Sequence, residues 1–227
     1  MIAAWKAPLP DGSLSEELLI GFDRARDCRV LVLPAWFDEA NKLRRFTLEA
    51  MRRLDRAGVD SFLPDLPGCN ESLAPLALQT LANWRAGAEL AVQQWGITHV
   101  LAMRAGALIA PAELPGWRYA SQTGPQVLRH MVRARILAAR EDGLSETSEA
   151  LHAKGRAKGL LLGGWMIGPQ MFAALESADP PPAPLQLEIT APDLGGAGLW
   201  LRAEPGEDTS QADRLAEIIR NKTGDAS

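Results

Sequence analysis

Residues 99–110, HVLAMRAGALIA, contain the pattern with the clearest chemical meaning in this sequence. The segment is typical of a short apolar strand, a tight turn and a helix that opens on small residues. A strand-to-helix turn of the G-x-S-x-G type holds a serine nucleophile at its tip. Here Arg104 occupies the tip, and a guanidinium stays protonated and has no lone pair for attack. The sequence therefore predicts the backbone of a nucleophile turn without the nucleophile.

The other members of a serine triad are also missing from the places where they would be needed. The acid and then the histidine follow the serine along such chains, but the last histidine is His152, and the closing segment offers Glu207 and Asp208 but no imidazole. Because triad members act as a unit, we do not expect ordinary serine-esterase activity. Cys69 is the remaining candidate nucleophile, in a glycine-containing loop. With only His130 as a conceivable base, we expect its thiol to be unreactive.

The surroundings of Arg104 suit an anionic ligand. A helix that starts at Ala105 would present unpaired N–H groups and partial positive charge beside the guanidinium, a combination that favours a carboxylate or a phosphate. The alternative is an internal ion pair with Glu39, which follows a neighbouring predicted strand. If Glu39 orients Arg104, the two side chains must lie within about 5 Å of each other.

Further candidates come from the loop after the first predicted strand. Asn41 and Lys42 stand at a basic helix start, where positive charge opposes the helix dipole, so they either face the same pocket or form a solvated helix face. Trp36 either lines the pocket or anchors the core, as large aromatic residues usually do. The candidate ligand-binding residues are therefore Trp36, Glu39, Asn41, Lys42, Arg104 and Ala105.

The elements that must position these residues alternate between strand and helix. Such alternation predicts a parallel sheet with right-handed crossovers. In open sheets of this kind, ligands bind where the strands end. The predicted strands are residues 29–34, 59–66 and 99–104, and the predicted helices are residues 38–57 and 75–95.

Beyond residue 110 the pattern is looser. Two predicted helices, residues 124–140 and 145–156, form a helical insertion over residues 122–157 that would cap the site. Residues 158–167 look extended, with Gly163 and Gly164 indicating a bulge or a close backbone approach. The remaining predictions are strands at 116–121, 185–190 and 199–203, helices at 169–178 and 211–221, and fraying of the last six residues.

Composition limits the class of protein. The chain has 227 residues, of which 47% are apolar and 23% charged, and a net charge of −4. These values suit one compact domain with a sizeable core, and they argue against nucleic acid as a partner. The strand–helix alternation adds the expectation of an α/β fold with a sheet of about six to eight strands. No apolar run is long enough for a membrane span, and no secretory signal is evident. Two cysteines and three scattered histidines predict a cytoplasmic protein with no metal site and no cofactor.

The segments LPAWFDEANKLRR, DLPGCNES and LAMRAGALIA resemble the exosortase A system-associated hydrolase 2 family, whose members are α/β-hydrolase-like bacterial proteins. The likeness covers about residues 25–180; Ala102 departs from it, because the family usually has glycine there. It implies an α/β-hydrolase-like fold and a setting among exopolysaccharide and PEP-CTERM sorting genes, with no established molecular activity. The matching residues are Glu39, Asn41, Lys42, Arg44, Arg45, Arg104 and Gly106.

Three functions remain open at this point. The first is a single α/β-hydrolase-like domain, residues 1–227, that lacks the triad and binds an anionic small molecule or a protein partner of the exosortase system. The second is an active hydrolase or acyl-transfer enzyme that uses Cys69. The third is a non-catalytic interaction module whose pocket is filled by side chains. An open pocket at Arg104 would favour the first function, and a closed pocket with Arg104 fully paired would favour the third.

Overall fold

The computed structural model describes residues 1–224. The predicted fraying of the last six residues falls partly on residues 225–227, which lie outside the described part. Among the described residues, a seven-stranded sheet has the strand order β1-β2-β4-β3-β5-β6-β9. Its strands are β1 (Ile2–Pro8), β2 (Leu14–Phe22), β3 (Arg29–Leu33), β4 (Asp60–Pro64), β5 (His99–Met103), β6 (Gly116–Tyr119) and β9 (Gln186–Ile189).

The helices are α1 (Phe37–Arg56), α2 (Leu81–Trp95), α3 (Gly124–Glu141), α4 (Ser148–Lys158), α5 (Pro169–Leu175) and α6 (Thr209–Gly224). Two short strands, β7 (Leu160–Leu162) and β8 (Trp165–Ile167), pair separately from the main sheet. No helix among residues 1–224 is both long and apolar enough to cross a membrane.

The centre of the sheet is parallel, as the alternation predicts. Strands β4, β3, β5, β6 and β9 run in one direction, with Leu33 opposite Ala102 and Met103 opposite Tyr119. The central strands are buried on both faces, which explains why their sequences are continuous apolar runs. Their carboxyl ends therefore meet at one edge of the sheet, where β3 leads into α1 and β5 leads into the turn at Arg104.

Helices cover both faces of this sheet, because alternate side chains of a strand point to opposite sides. On one face, Val32 and Met103 belong to the same apolar cluster as Phe46 of α1 and Leu215 of α6. On the other face, Leu33 and Ala102 join Trp84 of α2, Leu128 of α3 and Phe172 of α5. The predicted α/β class, a mainly parallel sheet flanked by helices, is confirmed.

Several predicted elements differ from the structure. The helix expected over residues 75–95 is a 3-10 turn at Leu76–Leu78 followed by α2, because the hydroxyl of Thr80 accepts a hydrogen bond from the Asn83 N–H (3.0 Å) and caps a new helix start. The N-terminal hairpin β1–β2, antiparallel at the edge of the sheet, was not predicted.

Three further corrections concern short segments. The helix expected from Ala105 is a six-residue 3-10 helix, Arg104–Ile109, and the strand expected over residues 199–203 is a 3-10 turn, Leu199–Leu201. The extended segment 158–167 is the hairpin β7–β8. Its turn residues Gly163 and Gly164 have φ values of +55° and +88°, which a two-residue hairpin turn of this hand requires.

Candidate functional site

The turn after β5 has the geometry of a nucleophile elbow, with arginine at its tip. Arg104 has a φ of +54°, a left-handed conformation that is uncommon for any residue other than glycine. The turn lies close against β3: a Cβ atom added to Gly106 would be 2.5 Å from the Leu33 carbonyl oxygen and 2.7 Å from that of Pro34. A small residue is therefore required there, and the chain supplies glycine.

All three nitrogens of the Arg104 guanidinium donate hydrogen bonds. Its Nε donates to Glu39 Oε2 (2.9 Å) and its Nη2 donates to Glu39 Oε1 (3.1 Å). Its Nη1 donates to the carbonyl oxygen of Ala120 (2.7 Å). The side chain of Arg104 is only 8% exposed. The ion pair expected with Glu39 is thus present, in the bidentate form that is the strongest for this pair of groups.

Aromatic and amide side chains complete the enclosure. The ring of Trp200 lies on the guanidinium, with its centroid 3.8 Å from Arg104 Cζ, which is a favourable cation–π arrangement. Gln122, which is buried, donates from Nε2 to Glu39 Oε1 (3.1 Å). Lys42 donates from Nζ to the Trp200 carbonyl oxygen (3.5 Å) and pairs with Asp38 (2.9 Å). Of the predicted site residues, Glu39, Lys42 and Arg104 come together here.

The other predicted site residues lie elsewhere. Trp36 is buried in the core against Trp84, with ring centroids 4.9 Å apart, and Asn41 is exposed on α1. Ala105 is buried in the 3-10 helix, which is too short to offer the helix N-terminus that the sequence suggested.

The charge pattern at the start of α1 also differs from expectation. The helix begins at Phe37, so Asp38 and Glu39 occupy the first turn and complement the helix dipole. The basic residues follow one turn later and pair with acids: Arg44 with Asp65 (3.2 Å) and Arg45 with Glu207 (2.7 Å). They form ion pairs instead of an open cationic site.

Cys69 lies beside a small cavity at the ends of β3 and β4. The cavity has a volume of about 10 Å³ and is lined by Trp36, Phe37, Leu66, Cys69, Asn70 and Trp165, among others. The rings of Phe37 and Trp165, whose centroids are 5.7 Å apart, fill the space. Ligand pockets have volumes of about 300–1,000 Å³, so this one is closed.

The environment of Cys69 opposes thiolate formation. Burial, and then the carboxylates of Asp65 and Glu17, raise the pKa of the thiol to about 12. No histidine hydrogen-bonds to Cys69 among the described residues: His152 pairs with Glu176 (2.6 Å), and His99 begins β5 at the far end of that strand. At neutral pH the thiol is protonated, and no imidazole is bonded to it that could act as its base.

Three contributors to the site were not identified from the sequence. Gln122 and the Ala120 carbonyl belong to the segment that follows β6. Trp200 belongs to the 3-10 turn that was predicted as a strand. No local pattern marks it, because its role depends on a long-range approach to Arg104.

Comparison with known proteins gives similarity in structure alone. No family model and no curated protein sequence matches this chain. A thermophilic esterase from Thermogutta terrifontis has a TM-score of 0.57 at 11% identity, with 98% of each chain covered. The esterase domain of a Rhodothermus marinus protein has a TM-score of 0.52 at 15% identity, also with 98% of each chain covered.

A putative hydrolase from Agrobacterium vitis S4 has a TM-score of 0.51 at 14% identity, with 99% of this chain and 98% of the other covered. The likeness to all three extends over nearly the whole length of each chain. Together with the mostly parallel sheet flanked by helices, these similarities show that the chain has the α/β-hydrolase fold.

Proposed function

We propose that this chain is a non-catalytic protein of the α/β-hydrolase fold that acts by binding a protein partner, as an accessory of an exosortase and exopolysaccharide system. The observation that carries the proposal is the state of Arg104. It occupies the nucleophile position of the elbow, and each guanidinium nitrogen donates to Glu39 or to the Ala120 carbonyl.

Catalysis by the remaining candidate nucleophile is disfavoured by the site around Cys69. A thiol attacks as the thiolate, and burial raises the pKa of Cys69 to about 12. The adjoining cavity of about 10 Å³ is smaller than an ester substrate needs. Both features support a non-catalytic role over a hydrolase or acyl-transfer role.

A small anion at Arg104 is also disfavoured. It would have to replace the bidentate Glu39 carboxylate and leave that carboxylate nearby as a like charge. It would further have to enter beside the Trp200 ring, which covers one face of the guanidinium. Removing one partner from a poorly hydrated ion pair is costly. This supports a protein partner, bound at the surface, over an anionic small molecule.

The exosortase setting rests on the sequence resemblance. Two residues that carry the resemblance, Glu39 and Arg104, contact each other in the structure. A third, Gly106, lets the same turn lie against β3. A motif whose members contact one another is better explained by a shared structural role than by chance similarity. These contacts support a resemblance that includes both the fold and the residues of the site.

An esterase assay tests the non-catalytic part of the proposal. The wild-type chain and the Cys69→Ala single variant should hydrolyse p-nitrophenyl acetate at the same rate, close to that of buffer. A wild-type rate more than about tenfold above that of the Cys69→Ala single variant would identify Cys69 as a nucleophile and overturn the proposal.

A genetic experiment tests the setting. Deleting the gene in a bacterium that carries it should reduce secreted exopolysaccharide or the sorting of PEP-CTERM proteins. Complementation with the wild-type chain, and equally with Cys69→Ala, should restore both. Unchanged exopolysaccharide and unchanged sorting after deletion would reject the setting.

A further inference from the structure

A groove between α3 and α4 lies outside the elbow site. It has a volume of about 600 Å³. Its floor is apolar and is formed on the α3 side by Leu128, Val132 and Ile136, while Ser148 and His152 of α4 line the opposite wall. The concave shape and the apolar floor are features of surfaces that take up a partner helix.

Three arginines of α3 line this groove. Arg129, Arg133 and Arg140 are exposed, and in the described part of the chain no hydrogen bond or ion pair holds the guanidinium group of any of them. In contrast, Arg135 on the same helix is held by Glu146 (2.6 Å). Glu176 also lines the groove, but its carboxylate is held by His152 (2.6 Å) and Arg156 (2.7 Å). The groove thus carries a net positive charge on a chain whose net charge is −4.

The spacing of these residues places them on one stripe of α3. Residues three, four, seven and eleven apart share one side of a helix, so Arg129, Arg133 and Arg140 flank Ile136 and the half-exposed Leu137. The arginine stripe extends over about 16 Å at the usual rise of a helix. A single phosphate or carboxylate cannot reach all three guanidiniums, whereas an extended ligand with several anionic groups and an apolar face can.

We propose that the α3–α4 groove binds an acidic amphipathic helix of a partner protein. The apolar side of that helix would lie on Ile136 and Leu137, and its carboxylates would pair with the arginine stripe. This inference rests on the proposed partner-binding function and gives it a location. An anionic membrane is less well matched, because a bilayer surface is flat and would contact the arginines without filling the groove.

The test uses a fluorescein-labelled synthetic peptide of about 18 residues, long enough to match α3. It is an amphipathic helix with leucines on one side and glutamates at the spacing of the three arginines; a second peptide carries glutamine in place of glutamate. Fluorescence anisotropy should show binding of the glutamate peptide to the wild-type chain, weakened by added salt.

Variants assign the binding to the groove. Arg129→Glu/Arg133→Glu should weaken binding by about tenfold or more, since it replaces two attractions by two repulsions. Leu137→Gln should weaken it by about threefold through lost apolar contact. Arg56→Glu, which changes an exposed arginine on α1, is the matched control and should leave the affinity unchanged. Far-UV circular dichroism and urea unfolding verify that each variant is folded.

Three outcomes would overturn the proposal: equal binding of the glutamine peptide, equal weakening by Arg56→Glu, or binding only to vesicles of phosphatidylcholine and phosphatidylglycerol in equal parts. Failure here is distinguishable from failure of the proposed function. If the peptide does not bind while the esterase assay remains negative, the groove assignment alone is wrong. If the wild-type chain proves to be an esterase, the non-catalytic function is wrong whatever the peptide does.

Discussion

Arg104 is a charged side chain that the turn after β5 holds buried and paired. A charged group taken out of water is tolerated only when it is paired and hydrogen-bonded. Glu39 supplies the opposite charge, and Ala120 supplies a further acceptor. The pair is therefore a condition for folding this part of the chain, and its loss should be felt in stability.

Replacing Glu39 tests this view. Glu39→Gln leaves the Arg104 guanidinium without an anionic partner in a poorly hydrated site, and should lower the free energy of unfolding by about 2–3 kcal/mol. Urea denaturation measures the change. Glu207→Gln is the control, because its ion pair with Arg45 is exposed and should contribute less than about 1 kcal/mol. Equal losses for the two variants would show that the Glu39 pair has no special structural role.

The protonation state of Cys69 gives a second prediction. With its pKa raised to about 12, the thiolate fraction at pH 7 is about one in 10⁵. Iodoacetamide should label Cys69 slowly in the folded protein and rapidly in urea. Mass spectrometry of a Cys28→Ser variant isolates the signal of Cys69. Stoichiometric labelling of the folded variant within minutes at pH 7 would contradict the assigned environment.

Among single residues, the ion pair at the centre of the site could be predicted from the sequence, but the side chain of Trp200 that covers it could not. Glu39 and Arg104 could be paired in advance, since each follows one of two strands that neighbour each other in a parallel sheet. Trp200 could not, because nearly a hundred residues separate it from Arg104 and its own segment reads as a strand. Side chains that arrive from distant segments leave no periodic signal in the sequence.

The elements were predictable where apolar periodicity is strong. The buried strands β3 and β5 and the long helix α1 lie close to their predicted bounds. Prediction failed where a local hydrogen bond or a steric limit overrides the pattern. Thr80 restarts a helix by capping it, and the segment after Arg104 remains a short 3-10 helix where the sequence suggested an α-helix.

Two glycines in different elements should respond oppositely to the same substitution. Gly106→Ala places a methyl group 2.5 Å from the Leu33 carbonyl oxygen, so it should destabilise the protein by about 2 kcal/mol or more. Gly87→Ala, inside α2, meets its nearest neighbour at 3.6 Å and should stabilise by about 0.5–1 kcal/mol through helix propensity. Thermal unfolding of both variants measures the signs. A neutral Gly106→Ala would mean that the elbow does not lie against β3.

The strand–helix alternation predicted the parallel sheet of the molecule, but it did not predict the antiparallel hairpin at the edge of that sheet. The hairpin β1–β2 extends the sheet by two antiparallel strands, with exposed Ile2 and Leu14 at its ends. Exposed apolar residues weaken the alternation that marks a half-buried strand. Edge strands are hard to predict because one side of their pairing is missing.

An ion-pair network ties the loop after β2 to α1 and couples the stability of the molecule to pH. Hydrogen bonds from Arg24, and then Arg26, lower the pKa of Asp55 from 3.8 to about 2. The folded state therefore binds this proton less tightly than the unfolded state does. The carboxylate stabilises the fold above about pH 4, and its contribution is lost as the pH falls towards 2.

The corresponding variant is Asp55→Asn. Because Arg24 is well exposed, solvent screening limits the expected contribution to about 1 kcal/mol. Urea unfolding between pH 2 and pH 7 should show a shallower loss of stability on acidification than in the wild type. Asp27→Asn, an exposed position in the same loop, should behave as the wild type does. Parallel curves for Asp55→Asn and the wild type would exclude this carboxylate as a source of acid sensitivity.

The turn at residue 104 also offers a starting scaffold for enzyme design. Gln122 already lies between the two groups that a relay would join: its Nε2 donates to Glu39 (3.1 Å), and its backbone N–H donates to the Arg104 carbonyl oxygen (3.3 Å). A designer would therefore introduce Arg104→Ser together with Gln122→His, keep Glu39 as the acid, and trim Trp200, whose ring covers the Arg104 guanidinium, to admit a substrate. In this chain, the backbone of the turn can be kept while the side chains that determine its chemistry are exchanged.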